Sequence, residues 1–234
     1  MTVGIIVAMD KEMALVCDAF SPIKDGGSVM GCLFRVVSAG SDATIVILQC
    51  GVGKVNAAVG AMLLRWHFHA DVIVSTGVAG GTLPYIKQGM VVAGTSYSYH
   101  DVYCGAGVAY GTVQGEPSGY AADAKMLHIL RESFHEVLFG MIVSGDQFIE
   151  TKERMGRVLD YFPTAIAVDM ESASIAQVCS KPLAGKTTPF ISLRIISDCI
   201  LNPEAKDYDG FWKAAPMESS KRTVAYIKKL IEEY

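Results

Sequence analysis

The chain has 234 residues, 51% of them hydrophobic and 19% charged, with a formal net charge of −4. That is enough apolar material for one sizeable core, and it predicts a single domain over 1–234 rather than two small ones. The mild acidity, with no Lys/Arg cluster before the last helical segment, argues against a nucleic-acid partner, and no stretch nears the roughly 20 apolar residues of a membrane span.

The start, Met1–Asp10, lacks the basic region of a signal peptide and reaches an acid early. Val3–Ala8 reads as a buried strand and Asp10–Phe20 as a helix. Phe34–Ser38 and Thr44–Gln49 read as a strand pair around Gly40-Ser41-Asp42. Asn56–His67 has the spacing of an amphipathic helix, and Asp71–Thr76 is an apolar strand. Met90–Tyr99 predicts a strand, Ala122–Phe134 a helix, Val137–Val143 a strand and Lys152–Tyr161 a helix. Ala165–Val168 predicts a short strand, Met170–Cys179 a helix, Pro189–Ile196 a strand and Phe211–Glu233 one long final helix. This alternation predicts an α/β fold, a mixed, mainly parallel central sheet flanked by helices. Two long irregular stretches, Gly105–Tyr120 and Leu201–Gly210, are candidates for closing a pocket at the carboxyl ends of the strands.

Three acids follow strands: Glu12, Glu171 and Asp198. Carboxylates meeting in one cleft can have their pKa values pushed apart, so that one holds a proton while another accepts one, an arrangement suited to breaking a glycosidic bond. Taken singly, Glu12 also fits a helix's first turn, and Asp198 a helix cap or a partner of Arg194. Gly51-Val52-Gly53-Lys54-Val55-Asn56 follows a strand and opens a helix, so its amides can approach an anion or a ribose oxygen; its spacing is that of neither a P-loop nor GxGxxG. Gly77-Val78-Ala79-Gly80-Gly81 also follows a strand, and close backbone packing alone explains either glycine motif. His67 and His69 are the only histidines at metal-ligand spacing, and they read as surface or core residues at a helix end, so no metal is expected. Cys17, Cys32, Cys50, Cys104, Cys179 and Cys199 are scattered, which predicts free thiols in a reducing cytoplasm.

Together these stretches resemble the 5'-methylthioadenosine/S-adenosylhomocysteine nucleosidases of the purine nucleoside phosphorylase-like group. The matching segments, in family order, are Gly4–Met9 with Glu12, Gly51–Ala58, Ser75–Gly81, Tyr99-His100-Asp101, Val143–Ile149, Ala167–Ala173 and Arg194–Asp198. The resemblance implies hydrolysis of the bond between adenine and a 5'-thio-substituted ribose, with no cofactor. It implies that Asp198 protonates the departing adenine, that Glu12 holds and activates the attacking water, and that Glu171 binds the ribose hydroxyls. Met170 would pack on the ribose, Phe148 would stack on the base, the Ile149 backbone would read its edge, and Met9 would line the ribose and water region. Arg194 and Ser197 would support Glu171 and Asp198, and Tyr208 would cover the 5'-substituent. A homodimer is implied, with the partner's Tyr103–Pro117 loop closing that end of the pocket.

The first strand region offers Lys11 but no arginine, and Ser75-Thr76 stand where a phosphorylase of this group would carry one, so water is expected as the nucleophile. Departures from the family pattern are Val78 in place of a serine, Asp169 in place of glutamate, Tyr103, Cys104 and Gly107 in the 5' region, and the longer Lys181–Thr188 link. A nucleoside phosphorylase, a futalosine-type nucleoside hydrolase and a non-catalytic nucleoside-binding protein are the alternatives.

Overall fold

The computed structural model describes residues 1–20, 22–39, 43–202, 208–214 and 216–234. Five β-branched or aliphatic runs make the centre of the sheet: β1 (Thr2–Val7), β4 (Ala43–Gln49), β5 (Val72–Gly81), β8 (Leu138–Ser144) and β10 (Phe190–Asp198). Most of their side chains are buried, as expected of strands covered on both faces. Around them lie β2 (Asp25–Val29), β3 (Cys32–Ala39), β6 (Val91–Tyr99), β7 (Tyr120–Ala121) and β9 (Ala165–Asp169).

The strands run in the order β10-β6-β8-β9-β5-β1-β4-β3-β2, and β10 also pairs with β5. That extra pairing closes β5, β10, β6, β8 and β9 into a ring, with β1, β4, β3 and β2 continuing outward from β5. The pairings β1–β4, β1–β5, β5–β10, β6–β8 and β8–β9 are parallel, and antiparallel ones finish the edge and the closure. The sheet is mixed as expected, but part of it is closed rather than open. The closure turns on Gly80 and Gly81 of β5, which face Val168 and Ala167 of β9. β5 therefore runs on through the glycine segment that the sequence presents as a turn.

Helices α1 (Asp10–Ala19), α2 (Lys54–Trp66), α3 (Ala124–Ser133), α4 (Lys152–Tyr161) and α5 (Ser172–Ser180) cover the sheet. Asp123 caps α3 by accepting the Met126 N–H, and Thr151 caps α4 by accepting the Arg154 N–H, each satisfying a free amide of the first turn. The expected single final helix is two, α6 (Tyr208–Ala214) and α7 (Pro216–Glu233). Pro216 starts the second because its fixed φ and missing N–H suit the first turn of a helix and not its middle. β2 and β7 are strands that the sequence reading did not include. The turn 40–42 between β3 and β4 lies outside the described residues. The Lys181–Thr188 link is held by buried Arg65, whose guanidinium donates to Thr188 Oγ1 and to the carbonyls of Val178, Lys181 and Lys186. Among the described residues no helix is long and apolar enough to cross a membrane.

Candidate active site

A cavity of about 250 Å³ opens where the carboxyl ends of β1, β8 and β9 meet the last residues of β5 and β10. Met9, Glu12, Val78, Phe148, Ile149, Met170, Glu171, Ser197, Asp198 and Tyr208 all line it. Of the side chains singled out in the sequence, only Arg194 stands behind the wall. Ala8, Val52, Gln147 and Asp169 also line it and were not singled out as site residues.

Glu12 is fixed by backbone. Its Oε2 accepts the Ala8 and Met9 N–H groups at 3.0 Å each, and its Oε1 accepts the Val78 N–H at 3.0 Å. In doing so Glu12 takes up amides at the start of α1, where the helix dipole favours a negative charge. Gly77 makes the approach possible, since a Cβ there would lie 2.5 Å from Glu12 Oε1. Burial pushes the Glu12 carboxyl above the ordinary range, and the Arg194 charge and the three amides pull it back.

Glu171 precedes α5 and is held from a distant turn: the Gly53 N–H donates to its Oε1 at 3.0 Å. Gly53 has φ of 99°, a left-handed conformation that glycine adopts without strain. Two amides of the Gly51–Asn56 turn are thus taken by side chains of the protein itself, Gly53 by Glu171 and Lys54 by Asp146. Burial and the neighbouring Asp169 charge push the Glu171 carboxyl up to about 7, against the pull of Arg194 and Gly53.

Arg194 supports this end through Asp169. Its Nε donates to Asp169 Oδ2 at 2.9 Å, while Glu171 stands at 4.0 Å and no bond joins it to Asp198. Asp169 is the hub that the sequence showed only as a departure. It also accepts the Ser144 and Ser172 hydroxyls and the Glu171 and Ser172 N–H groups. Ser172 Oγ in turn meets Ser192 Oγ at 2.7 Å. Two hydroxyls, two amides and a guanidinium therefore surround the shorter acid and satisfy its lone pairs.

Asp198 is held differently. The register of β10 against β5 shifts between Ile196 and Asp198, a bulge that re-aims the side chain into the cavity. Among the described residues its one hydrogen-bond donor is the adjacent Ser197 hydroxyl, at 2.7 Å. Burial raises its carboxyl above the usual range and the serine bond offsets part of that. The opposite side of the cavity is aromatic and sulfur-rich. Phe148, half exposed, meets Tyr208 edge-on at 5.7 Å, and the Tyr208 hydroxyl reaches Met9 Sδ at 3.4 Å.

Four carboxylates thus line the cavity, and among the described residues no lysine or arginine does. Lys11, the one cation of the first strand region, lies over the Trp212 ring at 5.2 Å. Val78 gives the cavity an isopropyl group where a serine hydroxyl would be polar, while its amide serves Glu12.

Comparison with known proteins agrees with this geometry. The model of the phosphorylase superfamily matches residues 2–233. A 5'-methylthioadenosine/S-adenosylhomocysteine nucleosidase of an Exiguobacterium species is 37% identical, covering 98% of this chain and 99% of its own. One from Oceanobacillus iheyensis is 34% identical over 98% of this chain and the whole of its own. The crystal structure of the Neisseria meningitidis 5'-methylthioadenosine/S-adenosylhomocysteine nucleosidase in complex with methylthio-immucillin-A superposes with a TM-score of 0.87 at 31% identity, covering all of this chain and 99% of that one. Fold, converging acids and full-length similarity agree, and the chain belongs to the 5'-methylthioadenosine/S-adenosylhomocysteine nucleosidase family of the phosphorylase superfamily.

Proposed function

We propose that this protein hydrolyses the N-glycosidic bond of 5'-methylthioadenosine and S-adenosylhomocysteine, releasing adenine and a 5-thio-substituted ribose, with water as the nucleophile. The observation that carries the choice of water is the cavity wall: Glu12, Asp169, Glu171 and Asp198 without a lining cation among the described residues. A phosphate dianion there would face like charge and find no arginine to hold it.

How the acids are held supports the roles that the family resemblance implies. Asp198, with a raised pKa and one hydrogen-bond donor, is the acid that protonates adenine, because a neutral base leaves far more readily than its anion. Glu12 is the base. Its amide contacts fix its position, and its raised pKa makes it a stronger acceptor for the proton of water. Glu171 binds the ribose hydroxyls, and with Glu12 it stabilises the positive charge that builds on the sugar. Phe148 stacks on the base and Ile149 reads its edge, while Met9 and Met170 pack on the ribose. Tyr208 covers the 5'-substituent, and Ser197 and Arg194 position the acids. A panel of nucleosides tests the assignment: adenine is released from 5'-thio-substituted adenosines, and release confined to 6-oxopurine or carboxylated 5'-aryl nucleosides contradicts it.

The reading includes a homodimer. Val55, Met62 and Trp66 form an exposed stripe along α2, which starts beside the cavity-lining Val52. A second copy covering that stripe brings its Tyr103–Pro117 loop to the mouth of the cavity. Sedimentation shows a dimer on this account, and a fully active monomer contradicts it. The cytoplasm is the expected location, where the free thiols persist.

A further inference from the structure

The Gly51–Asn56 turn carries a second device that the acids do not explain. Lys54 opens α2, and its Nζ donates to both carboxylate oxygens of Asp101 at 2.8 Å, with Asp146 Oδ2 at 3.8 Å. Asp101 Oδ2 also accepts the Asp146 N–H at 2.8 Å, and Asp146 Oδ1 accepts the Lys54 N–H at 2.7 Å. The ring of bonds is closed: ammonium to Asp101, Asp101 to Asp146, Asp146 back to the Lys54 backbone. Glycines make room for it. A Cβ on Gly53 would lie 2.9 Å from Asp146 Oδ1, and one on Gly145 would lie 2.8 Å from Asp101 Cγ.

Three separate segments meet in this ring, the β4–α2 turn, the residues after β6 and the residues after β8. Two of them lead into the cavity at once. Gly53, next to Lys54, holds Glu171 Oε1 at the ribose end. Asp146 is followed by Gln147, Phe148 and Ile149, which line the base end. We propose that Lys54 is a positioning residue for the glycosidic reaction: through Asp101 and Asp146 it fixes the distance between the base-stacking segment and the carboxylate that binds the ribose. The ammonium touches no substrate. It pairs with Asp101 and offsets part of the Asp146 charge at the N-terminus of α2, and so keeps their backbone contacts in register. A surface ion pair contributes little, but here Asp101 is mostly buried and both of its oxygens are engaged.

The inference rests on the nucleosidase reading, and its test separates the two. Lys54→Met, Asp101→Asn, the double variant and Lys54→Arg are compared with the wild type for turnover of 5'-methylthioadenosine, for binding of free adenine by calorimetry, and for thermal unfolding. Adenine binding is read without turnover, and wild-type turnover tests the activity itself. The expected result is that each of Lys54→Met and Asp101→Asn lowers kcat/KM about 100-fold, the scale of a roughly 1 Å misplacement. The loss falls mainly on KM and is matched by weaker adenine binding in the folded protein. The double variant loses no more than either single one, because all act through one ring, and Lys54→Arg recovers most of the activity. Losses that add in the double variant overturn the proposal, as does a lowered unfolding temperature with KM and adenine affinity unchanged.

Discussion

The two ends of the cavity that the proposal makes catalytic hold their acids in different ways. At one end three backbone amides converge on Glu12, with buried Arg194 behind it. At the other a bulged strand presents Asp198 with a single hydroxyl as donor. Burial raises both carboxyls; at Glu12 three amides and a guanidinium pull back toward the anion, and at Asp198 the Ser197 hydroxyl does. On the proposed assignment, a base and an acid differ here less in the carboxyl group than in the number of donors brought to it. Glu12, in the first turn of α1, and Asp198, at the end of β10, line one cavity.

Breaking the acid end has the largest expected effect. Asp198→Asn keeps the shape and removes the proton, so kcat falls about 1,000-fold or more, at the upper part of the range for general acid catalysis, while adenine binding measured by calorimetry persists. Unchanged turnover refutes its role. Breaking the base end costs less, because the carbonyl oxygen of a glutamine can still accept the Ala8 and Met9 amides, although its NH2 then faces the Val78 N–H. Glu12→Gln lowers kcat about 100-fold in steady-state assays. If the two losses were reversed in size, the assignment of acid and base would be reversed with them.

The aromatic side gives a smaller effect of another kind. Phe148→Ala removes a stacking surface used in ground and transition states alike, so KM rises about tenfold with little change in kcat. A loss confined to kcat would show that Phe148 acts on the chemical step instead.

The smallest effect concerns stability. Glu171 has its carboxyl pushed up from 4.5 to about 7 in the folded protein. A folded-state pKa above the unfolded one means that the folded state binds the extra proton, so this contribution is full below about pH 4.5 and is lost as pH rises through 7. Unfolding temperature, followed by circular dichroism, therefore declines across that window. Glu171→Gln, which cannot ionise, flattens the decline. A steeper decline in the variant contradicts the sign.

Much of this was legible in the chain because the signals were local. Val3–Ala8 and Asp71–Thr76 are unbroken apolar runs, and Glu12, Glu171 and Asp198 each follow a strand within a few residues. What was illegible depended on long-range pairing or on composition that disguises structure. β2, Asp-Gly-Gly-Ser-Val, has little β propensity and is a strand because β3 pairs with it. The closure of the ring rests on two residue pairs between β5 and β9, which no periodicity announces. The break before α7 did carry a signal, Pro216, but the helical spacing around it masked the stop. Asp169 stood in the sequence only as a departure from the family pattern, because Ser144, Ser172 and Arg194 reach it from separate segments. The Lys54–Asp101–Asp146 ring joins residues up to 92 positions apart.

The central claim, that acids and not cations receive the nucleophile, is tested most directly by the phosphate dependence of adenine release from 5'-methylthioadenosine. With phosphate removed by an enzymatic trap, the account predicts an unchanged rate and a free 5-methylthioribose as the sugar product. A rate that rises in proportion to added phosphate, with a sugar 1-phosphate as product, would contradict it.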